Sequence, residues 1–287
     1  MKLCIITNYT RGYINDSLIL NSLLNTLDLT SKDIFNMLDI NKFKQTVDER
    51  DTLRFNMRGF TNFVADMLEA AQQQQPIKSL CEIGVSRGVK QRMWCDITTD
   101  DCEIVGVDIF DPDRPEHYAL RNEISHINSL VVAKNRAHMY PKLTLILGED
   151  GYIPETVDRA LSAISSEKFD IVIDDGATTW PATKPSLPVW SRAVSDTGCY
   201  ITETPTGNGD TQKDVSLAQN KIWFEELVVH GMVIFDLSEF KTNGDEHGAY
   251  GNFVGIWAPT INLYTTVVNK YKEYIVAGKQ HVDHLLQ

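Results

Sequence analysis

From Ile77 onward the chain repeats one pattern: a short apolar run, then a longer stretch with helical spacing. The runs are Ser79–Ile83, Glu103–Asp108, Leu143–Leu147, Asp170–Ile173 and Cys199–Thr202. Runs that are apolar at successive positions suit strands buried on both faces. Intervening segments long enough for crossover helices then imply a parallel sheet covered by helices on either side. Two further runs, Met232–Phe235 and Phe253–Trp257, follow a helical stretch at Val215–Val228 and flank a polar, glycine-containing loop at Glu239–Tyr250. They read as an antiparallel hairpin at the sheet edge, and Ile261–Leu286 reads as a final helical stretch. The expected fold class is α/β: a Rossmann-like, seven-stranded, mostly parallel sheet with an antiparallel edge hairpin and an N-terminal helical cap.

The cap is residues 1–76 and the main domain residues 77–287. Met1–Thr7 reads as a short strand. Ser17–Leu29, Lys32–Phe43 and Phe55–Ala71 carry helix-like apolar spacing, and Gln72–Pro76 breaks it as a loop. The formal net charge of -12, from 39 acidic against 27 basic residues, disfavours a phosphate backbone as partner. No apolar run approaches the roughly 18 residues of a membrane span, and the first residues lack the long apolar stretch of a secretory leader. The five cysteines (Cys4, Cys81, Cys95, Cys102 and Cys199) include no Cys-x-x-Cys pair and read as buried, reduced thiols. These features imply a cytoplasmic protein acting on a small molecule, with no nucleic-acid or membrane partner. The helical N-terminal segment is a candidate homo-oligomer interface.

Within the main domain, Cys81-Glu82-Ile83-Gly84-Val85-Ser86-Arg87-Gly88 joins the first strand to a helix. Glycines there let backbone approach a ligand, and open parallel sheets bind ligands at the carboxyl ends of their strands. The Gly84-x-x-x-Gly88 spacing differs from the Gly-x-Gly-x-x-Gly of dinucleotide binders, which weakens an NAD-dependent oxidoreductase reading. Asp108 ends the second strand, where a carboxylate can accept both hydroxyl protons of a ribose or else solvate a loop. Glu149 and Asp150 follow the third strand, where either can accept from an adenine amine or remain solvated. Glu82, Gly84, Val85, Ser86, Gly88, Asp108, Glu149, Asp150 and Asp174 form the candidate cofactor-binding set.

The fourth and fifth strands end in Asp174-Asp175 and Glu203. Adjacent carboxylates at strand tips must be solvated, paired or bound to a cation. Asp175 and Glu203 on neighbouring tips suit Mg²⁺, or they line a polar cleft while Asp174 and Asp175 cap a helix. Both are candidate catalytic bases as well. His247 is a further candidate base, and Trp180, Trp223 and the cap residues Arg11, Tyr13, Arg54 and Arg58 are secondary candidates for acceptor contacts.

Glu82-Ile83-Gly84-Val85-x-x-Gly88, Arg92-Met93-Trp94, Val105-Gly106-Val107-Asp108 and Phe169-Asp170-Ile171-Val172-Ile173-Asp174-Asp175-Gly176 together resemble the macrocin/mycinamicin-type sugar O-methyltransferases, also labelled cephalosporin-hydroxylase-like. The resemblance covers about residues 77–205. It implies a class I methyltransferase that moves a methyl group from S-adenosyl-L-methionine to a hydroxyl of a sugar or natural-product intermediate. It also implies Mg²⁺ held by Asp175 and Glu203. Two departures stand out: Thr178 replaces the family's histidine base, and Thr204 replaces an acid on the fifth strand. They keep open a metal-independent N-methyltransferase and a non-catalytic nucleoside-binding protein.

Overall fold

The computed structural model describes residues 59–283 except 75, 87, 100, 115–129, 132, 136, 139, 141, 177–183, 204–223, 238–252 and 261–264. Its centre is β1 (Ser79–Ile83), buried along its whole length. β2 (Glu103–Asp108) and β4 (Phe169–Asp174) flank it and are nearly as buried. Only strands covered on both faces can carry such continuous apolar runs. β3 (Leu143–Leu147), at the sheet edge, is buried only in part.

The strand order is β3-β2-β1-β4, followed by β5 (Val194–Glu203), β7 (Phe253–Trp257), β6 (Val233–Asp236) and β8 (Ile275–Ala277). β1 through β5 run parallel. β7 lies antiparallel between β5 and β6. The chain builds outward from β1 through β2 to β3, then returns to lay β4 on the other side of β1. In a sheet with such a reversal the usual ligand position lies outside the carboxyl ends of β1 and β4. The architecture is Rossmann-like, as the alternation of runs predicts.

Alternate side chains of each strand feed two cores. On one face, Leu80, Ile104, Ile171, Ile173 and Ile201 pack with Phe63, Val64, Met67 and Leu68 of α1 (Gly59–Gln74) and Trp94 of α2 (Val89–Ile97). On the other, Cys81, Ile83, Val105, Val107 and Val172 pack with Val157 and Ala160 of α3 (Pro154–Leu161) and Leu187 and Trp190 of α4 (Ser186–Trp190). Cys81, Cys95, Cys102 and Cys199 are all buried. No helix among the described residues is long and apolar enough to cross a membrane.

Three expectations need correction. The sheet has eight strands, because part of the expected final helix is extended. A helix occupies Thr265–Tyr271 (α5), whereas Ile275–Ala277 forms β8, pairing with β6 outside the expected hairpin. β-branched Ile275 and Val276 favour the strand. Gly278 ends it at φ +77°, with its Cα against Met232, where a Cβ would lie 2.2 Å from the Met232 carbonyl oxygen. The glutamine run does not end α1 at Ala71, since the helix continues to Gln74. Glutamine is a good helix former, and the Ile77 N–H closes the end by donating to Gln72 Oε1 at 3.0 Å. Finally, β5 begins at Val194, ahead of the apolar run, because Ser195, Asp196 and Thr197 enter the sheet as exposed or half-buried strand residues. Most of the expected cap, residues 1–58, lies outside the described residues.

Candidate functional site

The turn after β1 is fastened from both sides. The Gly84 N–H donates to the Val107 carbonyl at 2.8 Å, and the Asp175 N–H donates to the Ile83 carbonyl at 2.9 Å. Gly84 has φ +93°, and a Cβ there would lie 2.3 Å from the Asp175 carbonyl oxygen, so glycine is obligatory. Gly88 opens α2 at φ +69°, close against Ala133. Between them, exposed Ser86 adopts φ +48°, left-handed backbone that costs a non-glycine residue about 1–2 kcal/mol. Such strain survives only where surrounding structure imposes it, and it gathers at ligand sites.

Asp108 supplies that imposition. Its Oδ2 accepts from the N–H groups of Val85 at 3.0 Å and Ser86 at 3.3 Å, and its Oδ1 accepts from Phe110 at 3.1 Å. The carboxylate is buried beneath the turn it shapes. Expected cofactor residues Gly84, Val85, Ser86, Gly88 and Asp108 therefore come together in one hydrogen-bonded unit.

Glu82 takes a different place. It lies mid-strand, opposite Gly106 on β2 and Ile173 on β4, with no exposed surface. Its Oε2 accepts from Trp94 Nε1 at 2.7 Å, and its Oε1 has no hydrogen-bond partner but lies 4.0 Å from Lys90 Nζ. Lys90 in turn forms an ion pair with Asp175. Burial pushes the Glu82 carboxyl up to about 7, against the opposing pull of Lys90 and the Trp94 hydrogen bond. Lys90 and Trp94 lie four residues apart on one face of α2; the sequence motifs include Trp94 but not its bond to Glu82, and they do not include Lys90. A glutamate in the middle of an apolar strand was the available signal, because a buried charge requires partners.

Asp174 faces the opposite side of the sheet. Tyr200 Oη donates to its Oδ2 at 2.7 Å, and Tyr152 Oη and the Gly176 N–H donate to its Oδ1 at 3.1 and 3.2 Å. Ser186 Oγ lies 2.8 Å from Tyr200 Oη. Burial raises the Asp174 carboxyl, partly offset by these donors. Of the expected adenine contacts, Glu149 is ion-paired with Arg159 of α3, and exposed Asp150 accepts from the Tyr152 N–H at 2.9 Å. Register sets Asp174 opposite Thr202, so Asp175 and Glu203 follow at adjacent strand tips on the α2 side. Among the described residues no group of three or more His, Cys, Asp or Glu side chains gathers as a metal site. Arg11, Tyr13, Arg54, Arg58, Thr178, Trp180, Thr204, Trp223 and His247 lie outside the described residues.

No protein-family model and no curated protein matches the chain. Several solved structures are similar. One is the MycE methyltransferase of the mycinamycin biosynthetic pathway, in complex with Mg and SAH, at 20% identity and TM-score 0.36 over 65% of this chain. The match spans 46% of the MycE chain, about half its length. A second is assigned as a caffeoyl-CoA O-methyltransferase from Staphylococcus aureus, at 14% identity and TM-score 0.44, covering 84% of this chain and 97% of that one. A third is the O-methyltransferase TomG from Streptomyces achromogenes, involved in tomaymycin synthesis and solved with SAM. It matches at 15% identity and TM-score 0.41 over 68% of this chain and 79% of that one. Likenesses of this degree leave the reaction of the present chain to its own residues.

Proposed function

We propose that the chain is an S-adenosyl-L-methionine-dependent methyltransferase whose acceptor is a hydroxyl of a small molecule, such as a sugar or natural-product intermediate. The observation that carries this reading is the turn at Gly84–Gly88, strained at Ser86 and tied to Asp108 at the point where the strand order reverses. It offers backbone at close range to a nucleoside, held in place by the Asp108 carboxylate at the tip of the neighbouring strand. The charge around these strand ends supports a cationic ligand. Asp108, Asp150, Asp175 and Glu203 stand at the strand tips with Lys90 balancing Asp175, a net-acidic setting that disfavours a dinucleotide's pyrophosphate and suits a sulfonium.

When bound, S-adenosyl-L-methionine supplies an activated methyl group. The chain aligns the acceptor and takes up its proton, for which Asp175 and Glu203 are the candidates. Asp175 or Glu203 would take the acceptor's O–H proton as the bound cofactor gave up its methyl group to that oxygen and kept the C–S electron pair. Calorimetry tests the reading. S-adenosylhomocysteine should bind while NAD gives no heat, and Asp108→Ala should weaken binding about tenfold or more, the loss of a charge-assisted hydrogen-bond set. Absence of binding by S-adenosylhomocysteine would refute it.

A further inference from the structure

Asp175 was the first of the two expected Mg²⁺ ligands, and it already carries a cation. Lys90 Nζ is ion-paired to its carboxylate and stands 4.0 Å from the unbonded Oε1 of fully buried Glu82. The Lys90 and Asp175 side chains are only 10% and 13% exposed, so this charge is not a solvated surface lysine. Burying an ammonium is unfavourable unless its partners compensate. Among the described residues β1 contributes Glu82 and the tip of β4 contributes Asp175. Lys90 itself comes from the first turn of α2, directly after Gly88, so the turn that shapes the cofactor end also aims the lysine at the reaction end.

A divalent ion on Asp175 would have to displace this ammonium or share the carboxylate with it, at like-charge repulsion in a setting poor in water. The donor set therefore does not fit Mg²⁺. We propose that Lys90 is the resident cation of the reaction end, holding the Asp175 carboxylate in the place where a divalent metal would otherwise sit, so that methyl transfer in this chain is metal-independent. This rests on the methyltransferase reading for the word transfer, but not for the exclusion of the metal. Lys90 acts through Asp175 and is a positioning residue. The lysine balances the Asp175 charge and fixes its geometry, and the acceptor's proton is taken by a carboxylate, with no metal-bound oxygen involved.

Titration of the full-length chain with Mn²⁺, followed by electron paramagnetic resonance of the unbound ion, tests this without any need to know the acceptor. Wild type and Lys90→Arg should show no site. Lys90→Gln should gain one, with affinity rising roughly 10- to 100-fold over background, the range by which neighbours of a ligand set tune metal binding. Asp175→Asn added to Lys90→Gln should abolish the gain. A purely structural lysine would produce no such gain. Saturable Mn²⁺ binding by wild type that Asp175→Asn removes would overturn the proposal. So would a folded Lys90→Gln chain that binds no Mn²⁺. If Lys90→Gln does not fold, the wild-type titration with Asp175→Asn still decides. S-adenosylhomocysteine calorimetry on the same samples separates this outcome from the cofactor reading, since either can fail while the other stands.

Discussion

Glu82→Gln isolates the energetics of the buried acid. In the folded chain burial raises the Glu82 carboxyl from its ordinary 4.5 to about 7. A tenfold change in proton affinity is worth about 1.4 kcal/mol, so the shift corresponds to about 3 kcal/mol. The sign follows from which state holds the proton more tightly. Between pH 4.5 and 7 the folded chain retains a proton that the unfolded chain releases. The stability from this group is thus fully present below pH 4.5 and is lost as pH rises through 7. Glutamine keeps an oxygen for Trp94 Nε1 and carries no charge, so Lys90 retains Asp175 as its counterion. Urea unfolding from pH 5 to pH 8 should show the variant losing about 2.5 kcal/mol less stability than wild type over that interval. Parallel stability curves for the two proteins would refute the placement of a buried, shifted acid at this position.

Other substitutions probe the surroundings. Gly84→Ala places a methyl group 2.3 Å from the Asp175 carbonyl oxygen at φ +93°, and should cost at least about 2 kcal/mol in thermal unfolding and eliminate S-adenosylhomocysteine binding. Tyr200→Phe removes the 2.7 Å donor to buried Asp174 and should destabilise by about 1–3 kcal/mol; an unchanged melting temperature would show that the carboxyl does not depend on it. Thr156→Val replaces a buried hydroxyl that has no hydrogen-bond partner, so the unfolding free energy from denaturant titration should stay the same or rise by about 1 kcal/mol.

The first half of the sheet was legible because its strands are short, apolar and bounded by sharp changes in pattern. β1, β2 and β3 occupy the expected residues. β8 was hidden because three residues pairing with a distant strand leave no periodicity of their own beside a real helix at Thr265–Tyr271. In the site, Gly84 and Gly88 were readable because their positive φ dictates residue type, whereas the bonds from Asp108 to the turn amides were not. Lys90 was not, because a lysine in a helix ordinarily marks solvent, and only the fold reveals that this one points at Glu82 and Asp175. The same reason left the Tyr152 and Tyr200 shell around Asp174 invisible: its members lie 22 and 26 residues away along the chain.

The tie between Asp108 and the Val85 and Ser86 amides has a kinetic meaning. Freezing one backbone residue costs about 1–2 kcal/mol of conformational entropy, and for this turn folding already meets that cost. A nucleoside arriving at the turn meets a rigid receptor, so little affinity is lost to ordering the loop. Association should then run at the pace of diffusion and desolvation, with a single fast phase in stopped-flow binding. The Val85 and Ser86 amide hydrogens should exchange slowly with solvent before any ligand is added, which distinguishes a preformed cradle from a loop that closes on its guest.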